Sequence, residues 1–284
     1  MFPEYMNDVR VRGAQVAQER RHEALRGVLR AVIPLSIRQS RYENTFFHSK
    51  GLLLHLGVFE SLDEAQVRLR AHSQSGQYSI NHREWFAQRS ATYRAHDYPV
   101  LYWMSKLIEP STRLFDLGGS VGVTYHLMRT RLALPGDFRW EVGELPAVVA
   151  YGRELMSRLE SPHLQFTDDW KSMDGALILH VAGALQFMPL TLAEMFSKVT
   201  RKPQHVLINR IPVTDTSETF YTLQNTGDAI APMRVEARRS LLGDMKALGY
   251  ELVDGWKCLE NSLVIPFASG HDLRCFDGFY FRRA

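Results

Sequence analysis

The stretch that most constrains this chain is Arg113-Leu114-Phe115-Asp116-Leu117-Gly118-Gly119-Ser120-Val121-Gly122. An apolar run closes on an acid, glycines follow, and helical periodicity resumes from Val121 through His126 and Leu127. The pattern predicts strand, glycine turn and helix, the first βα turn of a doubly wound sheet. Glycines let the backbone pass close to whatever lies over the strand end. The N–H groups of a helix N-terminus point at the same place. The spacing is Asp-x-Gly-Gly-x-x-Gly, not the Gly-x-Gly-x-x-Gly of dinucleotide sites. A carboxylate just before the glycines would repel a pyrophosphate and suits a ligand that carries an ammonium group. S-adenosylmethionine (SAM) is such a ligand; a purely structural glycine turn is the plain alternative.

At 284 residues the chain can bury a sizeable core, as one large domain or two small ones. Met1 to Gln15 carries charges and lacks an apolar core, so no secretory signal is expected. The longest apolar stretch, Gly51 to Phe59, is interrupted by His55 and is too short to span a bilayer. Two cysteines, Cys258 and Cys275, give neither a disulfide framework nor a metal pattern. A cytoplasmic protein with no metal site is therefore expected. The net charge of +3 is too small to imply nucleic acid. Residues 1–50 hold nine Lys/Arg against five Asp/Glu, which a solvated helix face accounts for. No nucleic-acid or membrane partner is expected.

From Tyr5 to Ala31 apolar residues recur near helical spacing, and Pro34 stops the pattern. The apolar stripe packs either on its own domain or against a second copy, as a homodimer contact or lid. Ser61-Leu62-Asp63-Glu64 reads as a capping box for a helix to about His72. Asn81 can cap another helix, and Pro99 sits in the first turn of one that runs to Ile108. An all-helical cap over residues 1–105 and a Rossmann-like domain over 106–284 are expected. Tyr78, Tyr98, Tyr102 and Trp103 lie just upstream of the glycine turn, as core aromatics or as rings facing a sulfonium.

The sheet follows. Phe138–Val142 reads as a second strand with Glu144 and Leu145 at its tip. Glu144 stands 22 residues after Gly122, where an acid accepts ribose hydroxyls; Glu141 is the rival but falls inside the strand. Leu164–Phe166 is a third strand, and Asp168, Asp169 and Trp170 after it suit an adenine pocket or a helix cap. Asp174–His180 is a fourth strand, apolar enough for burial on both faces. His205–Ile211 is a fifth, with Asn209 and Arg210 at its end. Thr214–Pro232 reads as a long connection, and Arg234–Leu248 as a helix capped by Gly249. Tyr250–Lys257, Ser262–Phe267 and Phe276–Arg282 read as edge strands. The expected fold class is α/β, a seven-stranded sheet ending in an antiparallel hairpin.

This pattern resembles the class I SAM-dependent methyltransferases, more narrowly a bacterial group from polysaccharide and natural-product gene clusters. The resemblance rests on His96–Trp103, Phe115–Val123, Glu144–Val149, Gly183–Phe187, Leu207–Arg210, Thr222–Asn225, Leu248–Asp254 and Gly278–Phe281. It implies SAM as cofactor, cradled by Asp116, Gly118, Gly119, Ser120, Gly122, Glu144, Leu145, Asp168, Asp169 and His180. It also implies a small-molecule substrate bound by Tyr78, His126, Gln186, Arg210 and Gln224. His180 and Ala182 depart from the small polar residues expected ahead of Gly183-Ala184. Azetidine-2-carboxylate synthases, which cyclise SAM itself, share the resemblance.

Two chemistries and one silent reading follow. Methyl transfer to oxygen needs a general base, for which His180, His126 and His96 are the candidates. Cyclisation needs a neutral amine and a sheltered sulfonium, for which Tyr78, Tyr98, Tyr102, Gln186 and Asn209 are candidates. An inactive partner subunit is the third reading; the intact Asp116, glycines and Glu144 argue against it.

Overall fold

The computed structural model describes residues 33–50, 52–72, 86, 90, 92–159, 161–227 and 229–284. The helix expected over Tyr5–Ala31, the dimer contact assigned to it, Asn81 and Tyr78 lie outside the described residues. By packing the chain divides into two compact units, Met1–His48 and Ser49–Ala284. In the first, Pro34 begins a helix, α1 (Leu35–His48), which buries Phe46 and Phe47. Their rings meet edge to face with centroids 5.1 Å apart.

The second unit opens with strand β1 (Leu54–Phe59) and helix α2 (Leu62–Arg70). Ser61 Oγ accepts from the Glu64 N–H, so the predicted cap is in place. Then come α3 (Asp97–Leu107), β2 (Arg113–Leu117), α4 (Val123–Met128), β3 (Arg139–Gly143), α5 (Pro146–Met156) and β4 (Leu164–Thr167). After these follow β5 (Ile178–Ala182), α6 (Leu192–Phe196), β6 (His205–Ile211), β7 (Val213–Thr214), β8 (Phe220–Asn225) and β9 (Ile230–Ala237). The chain closes with α7 (Arg238–Ala247), β10 (Tyr250–Cys258) and β11 (Phe276–Arg283).

Seven strands form one sheet in the order β4-β3-β2-β5-β6-β11-β10. The first five are parallel and β11 runs antiparallel between β6 and β10. This is the predicted α/β class. One face carries Leu114, Trp140, Val142, Ile178, Leu207 and Tyr280 under Val100 and Met104 of α3 and Tyr125 and Met128 of α4. The other carries Phe115, Leu117, Leu179, Val181, Val206 and Ile208 against Met195 and Phe196 of α6 and Leu241 and Met245 of α7. Each such side chain contributes roughly 1.5–3 kcal/mol when fully buried.

Four expectations are corrected. The first hundred residues are not all helical: β1 pairs antiparallel with β8, and α3 packs on the main sheet. The connection after β6 is not a loop; β8 and β9 form a hairpin that joins β1 and β7 in a second sheet, ordered β1-β8-β9-β7. Residues 234–237, read as helix, are extended in β9, and α7 begins only at Arg238. Residues 262–267 make no edge strand; Leu263 forms an isolated bridge to Leu273. A smaller shift affects β5, which starts at Ile178 because Asp174 is spent in a turn, its carboxylate accepting from the Thr200 and Arg201 N–H groups. No helix among the described residues is long and apolar enough to cross a membrane.

Candidate functional site

Strand β2 is flanked by β3 on one side and β5 on the other, so the chain order reverses between β2 and β5. The crevice at the carboxyl ends of two such strands is where open α/β sheets bind ligands. The glycine turn lies there. Gly118 is in the left-handed region at φ +67° and donates its N–H to the Gly143 carbonyl at 2.8 Å. A Cβ on Gly118 would stand 2.2 Å from that of Ala184, so the turns after β2 and β5 touch. A Cβ on Gly119 would meet the Asp116 carboxylate at 2.5 Å. Gly122, at φ +79°, leads into α4.

Ser120 is also left-handed, at φ +53°, a conformation that disfavours any residue with a side chain. Its N–H donates to Glu144 Oε1 at 3.0 Å, and Glu144 Oε2 accepts from the Leu145 N–H at 2.9 Å. The Glu144 N–H donates in turn to the Thr167 carbonyl. The tips of β2, β3 and β4 are thus braced through one residue, its carboxylate toward the turn after β2 and its N–H toward β4. Burial holds the Glu144 carboxyl above its ordinary range, the two N–H donors pull it back, and the Asp116 charge pushes it up further. Leu145 itself is exposed.

Beneath the turn, Asp116 is completely buried. Its Oδ2 accepts from Trp140 Nε1 at 3.1 Å, and its Oδ1 lies 2.7 Å from His180 Nδ1. The residues are neighbours by register, since Asp116 pairs with His180 across the β2–β5 ladder. The acid read as an ammonium ligand is therefore a strut of the floor, and its charge lies directly under Gly119.

Four buried polar atoms around this crevice have no hydrogen-bond partner: Ser120 Oγ, His180 Nε2, Gln186 Oε1 and His96 Nε2. They come from the turn after β2, from β5, from the turn after β5 and from the residue before α3. Each costs about 1–3 kcal/mol while unpaired. A polar ligand that reached them would recover that cost.

The other expected residues are placed as follows. Asp168 and Asp169 are exposed at the end of β4, and Asp169 caps a short 3-10 turn through the Lys171 N–H, the capping reading. Tyr98 and Tyr102 lie more than half exposed on the outer side of α3, Tyr98 against Tyr93 and Tyr102 against Trp103. Asn209 is a strut rather than a reactive group: its amide donates to the His96 carbonyl and its oxygen accepts from Trp256 Nε1 and Cys258 Sγ. Arg210 donates to the Ala182 carbonyl at 2.7 Å. His126 sits among Phe86 and Tyr125, where burial takes its pKa down to about 4. Gln224 lies in the second sheet beside His55. Among the described residues no three His, Cys, Asp or Glu side chains cluster as a metal site.

Sequence reasoning missed two contributors. Arg234 of β9 is buried; its guanidinium pairs with Glu236 and donates to the carbonyls of Leu185, Met188 and Leu190. It thereby holds the turn that carries Gln186. Glu260 meets His96, 164 residues away in the chain, at 3.0 Å. Neither contact has a local signal, because both are made by tertiary pairing.

No family model matches the chain, and no curated protein does. Solved structures that the chain is similar to include OxaC with S-adenosylhomocysteine (SAH) and oxaline, 17% identical over 68% of this chain, TM-score 0.45. The chain spans 48% of the length of OxaC. Another is the 1,6-didemethyltoxoflavin N1-methyltransferase of Burkholderia thailandensis, 14% identical over 80% of this chain and 92% of that one, TM-score 0.46. A third is CalS10, an amino pentose methyltransferase from Micromonospora echinaspora, 16% identical over 73% and 99%, TM-score 0.41.

Proposed function

We propose that the chain is a SAM-dependent enzyme that transfers a methyl group to a small molecule. One observation carries this reading. The Ser120 N–H, at the position a dinucleotide turn offers to a pyrophosphate, is taken by the Glu144 carboxylate at 3.0 Å. With Asp116 directly below, the turn is negative and suits a ligand that is cationic at one end and rich in hydroxyls at the other.

The residues fit SAM. Glu144 keeps lone pairs for ribose hydroxyls. The unpaired Ser120 hydroxyl can donate to a carboxylate, and the unpaired Gln186 oxygen can accept from an ammonium. When bound, SAM supplies an electrophilic methyl on its sulfonium. The protein's share is then to fix the geometry and exclude water.

The test is calorimetry with SAM and SAH, followed by incubation with SAM alone and with a panel of small phenols, hydroxy acids and amines, products separated with mass detection. Binding of both, and SAH release only with an acceptor, is the expected result. Methylthioadenosine and a four-membered amino acid from SAM alone would replace methyl transfer by cyclisation. If neither compound binds, the reading of the Asp116–Gly122 turn is wrong.

A further inference from the structure

We propose that His96 is the proton acceptor of the reaction, held in its working tautomer by Glu260; the inference rests on the transferase reading above. His96 lies immediately before α3 and is 1% exposed. Its carbonyl accepts from Asn209 at 3.1 Å, and Asn209 pairs with Ala182 where β5 and β6 end. This anchors His96 near the carboxyl ends of those strands, on the face of the sheet that carries Asp116 and His180.

The ring is oriented from behind. Glu260 Oε2 lies 3.0 Å from His96 Nδ1, while Oε1 accepts from the Ala95 N–H at 2.9 Å. A carboxylate can only accept, so Nδ1 carries the proton and Nε2 keeps a lone pair in the neutral ring. That Nε2 is buried without a hydrogen-bond partner. Its polar neighbour, Asp97 Oδ1 at 3.5 Å, is an acceptor too and leaves the lone pair bare. Burial, helped by the Arg210 charge, holds the imidazole pKa below its ordinary value, while Glu260 and Asp97 oppose this. The lowering favours the neutral ring, the form a base needs. A base whose Nε2 makes no hydrogen bond and whose Nδ1 is held by a carboxylate is the arrangement that general-base catalysis needs.

The substrate class follows. A bare, uncharged Nε2 suits a neutral nucleophile with an O–H or N–H to lose. That proton passes to Nε2, the bonding pair stays on the nucleophile, and the imidazolium, facing Glu260 and Asp97, then yields the proton to water. His180 is the rival. Its Nε2 is also bare, but it lies two residues inside β5, level with Asp116 under the glycine turn.

The experiment uses the full chain labelled with 15N-histidine, with SAH as the probe ligand. The His96 signal should show a proton on Nδ1 and none on Nε2 at pH 7.5, and Glu260→Gln should mix the tautomers. In His96→Gln, SAH affinity should stay within about twofold, whereas turnover of SAM, alone or with an acceptor that the wild type methylates, should fall about 100- to 10,000-fold. The acid limb of the wild-type pH profile should disappear with it. A proton on Nε2, or His96→Gln turnover within threefold of wild type, would overturn the proposal. The same loss in His180→Gln alone would move the base to His180. Failure of SAH to bind the wild type is a separate outcome, one that removes the transferase reading while the tautomer measurement still decides the Glu260–His96 pairing.

Discussion

His180 Nδ1 stands 2.7 Å from Asp116 Oδ1 across the β2–β5 ladder, each side chain 1% exposed. A carboxylate buried to that degree needs its lone pairs filled, and Trp140 fills another. The pair is the floor on which the glycine turn rests.

Asp116→Ala should leave two buried N–H donors unpaired and lower unfolding free energy by about 2–5 kcal/mol in urea titration. Asp116→Asn should cost much less, since the amide can accept from Trp140 and donate to His180 once the ring exchanges tautomers. Equal losses in the two variants would show that the charge, not the hydrogen bonding, is what the floor requires.

Ser120 holds a left-handed conformation whose strain is on the order of 1–3 kcal/mol. Ser120→Gly should relieve it and stabilise the fold by about 1 kcal/mol, seen as a raised thermal midpoint. The same variant should bind SAH more weakly, having lost the hydroxyl. Ser120→Ala separates the effects, because it keeps the strain and loses only the oxygen. A Gly variant of unchanged affinity would take Ser120 Oγ out of the ligand site.

Glu144→Ala should weaken SAM binding by about 1–3 kcal/mol, roughly 5- to 150-fold in Kd. It also releases the Ser120 and Leu145 N–H groups, so hydrogen exchange in the turn should quicken. Unchanged affinity by calorimetry would remove Glu144 from the ribose role.

Arg234→Met should strip four acceptors of one donor group and leave Glu236 without its cation. Breaking a buried pair in this way costs about 3–5 kcal/mol. The amides of residues 185–190 should lose protection first.

His55 on β1 gives a pH dependence. Burial pulls its pKa from 6.5 to about 4, a backbone hydrogen bond to Val264 opposes this, and Gln224 Nε2 lies 3.3 Å from its Nε2. The folded state thus binds the proton less tightly than the unfolded chain. The stability so gained is complete above pH 6.5 and is lost as pH falls toward about 4. At 1.36 kcal/mol per pH unit, His55 contributes up to ~3 kcal/mol. Urea titrations in that window should show the loss, and His55→Gln should flatten it. His126, with the same direction, should leave a residual slope.

The main sheet was legible because its strands obey simple rules. His205–Ile211 matched its prediction to the residue, since a strand buried on both faces is an apolar run with clear ends. The glycine turn was legible for its spacing, and so was the place of Glu144 just past the end of β3. The second sheet was not. Thr222, Gln224 and Asn225 are polar yet buried, satisfied partly by Leu56 and Ser49 carbonyls and by His55. Polar side chains whose partners lie some 170 residues away give the sequence no period to read. The bracing of Asp116 was hidden for the same reason: its partners, Trp140 and His180, stand on neighbouring strands.

The pairing of β1 with β8 has a consequence for biogenesis. Leu54 meets Asn225 and Phe59 meets Tyr221, so a strand made early finds its place only after most of the chain has been synthesised. Contacts of such long sequence separation slow folding. While β1 waits, the β8 edge offers unpaired N–H and C=O groups to other chains. Chains shortened past residue 59 should therefore clump during expression even where the seven-stranded sheet is intact, and supplying a β1 peptide should restore solubility.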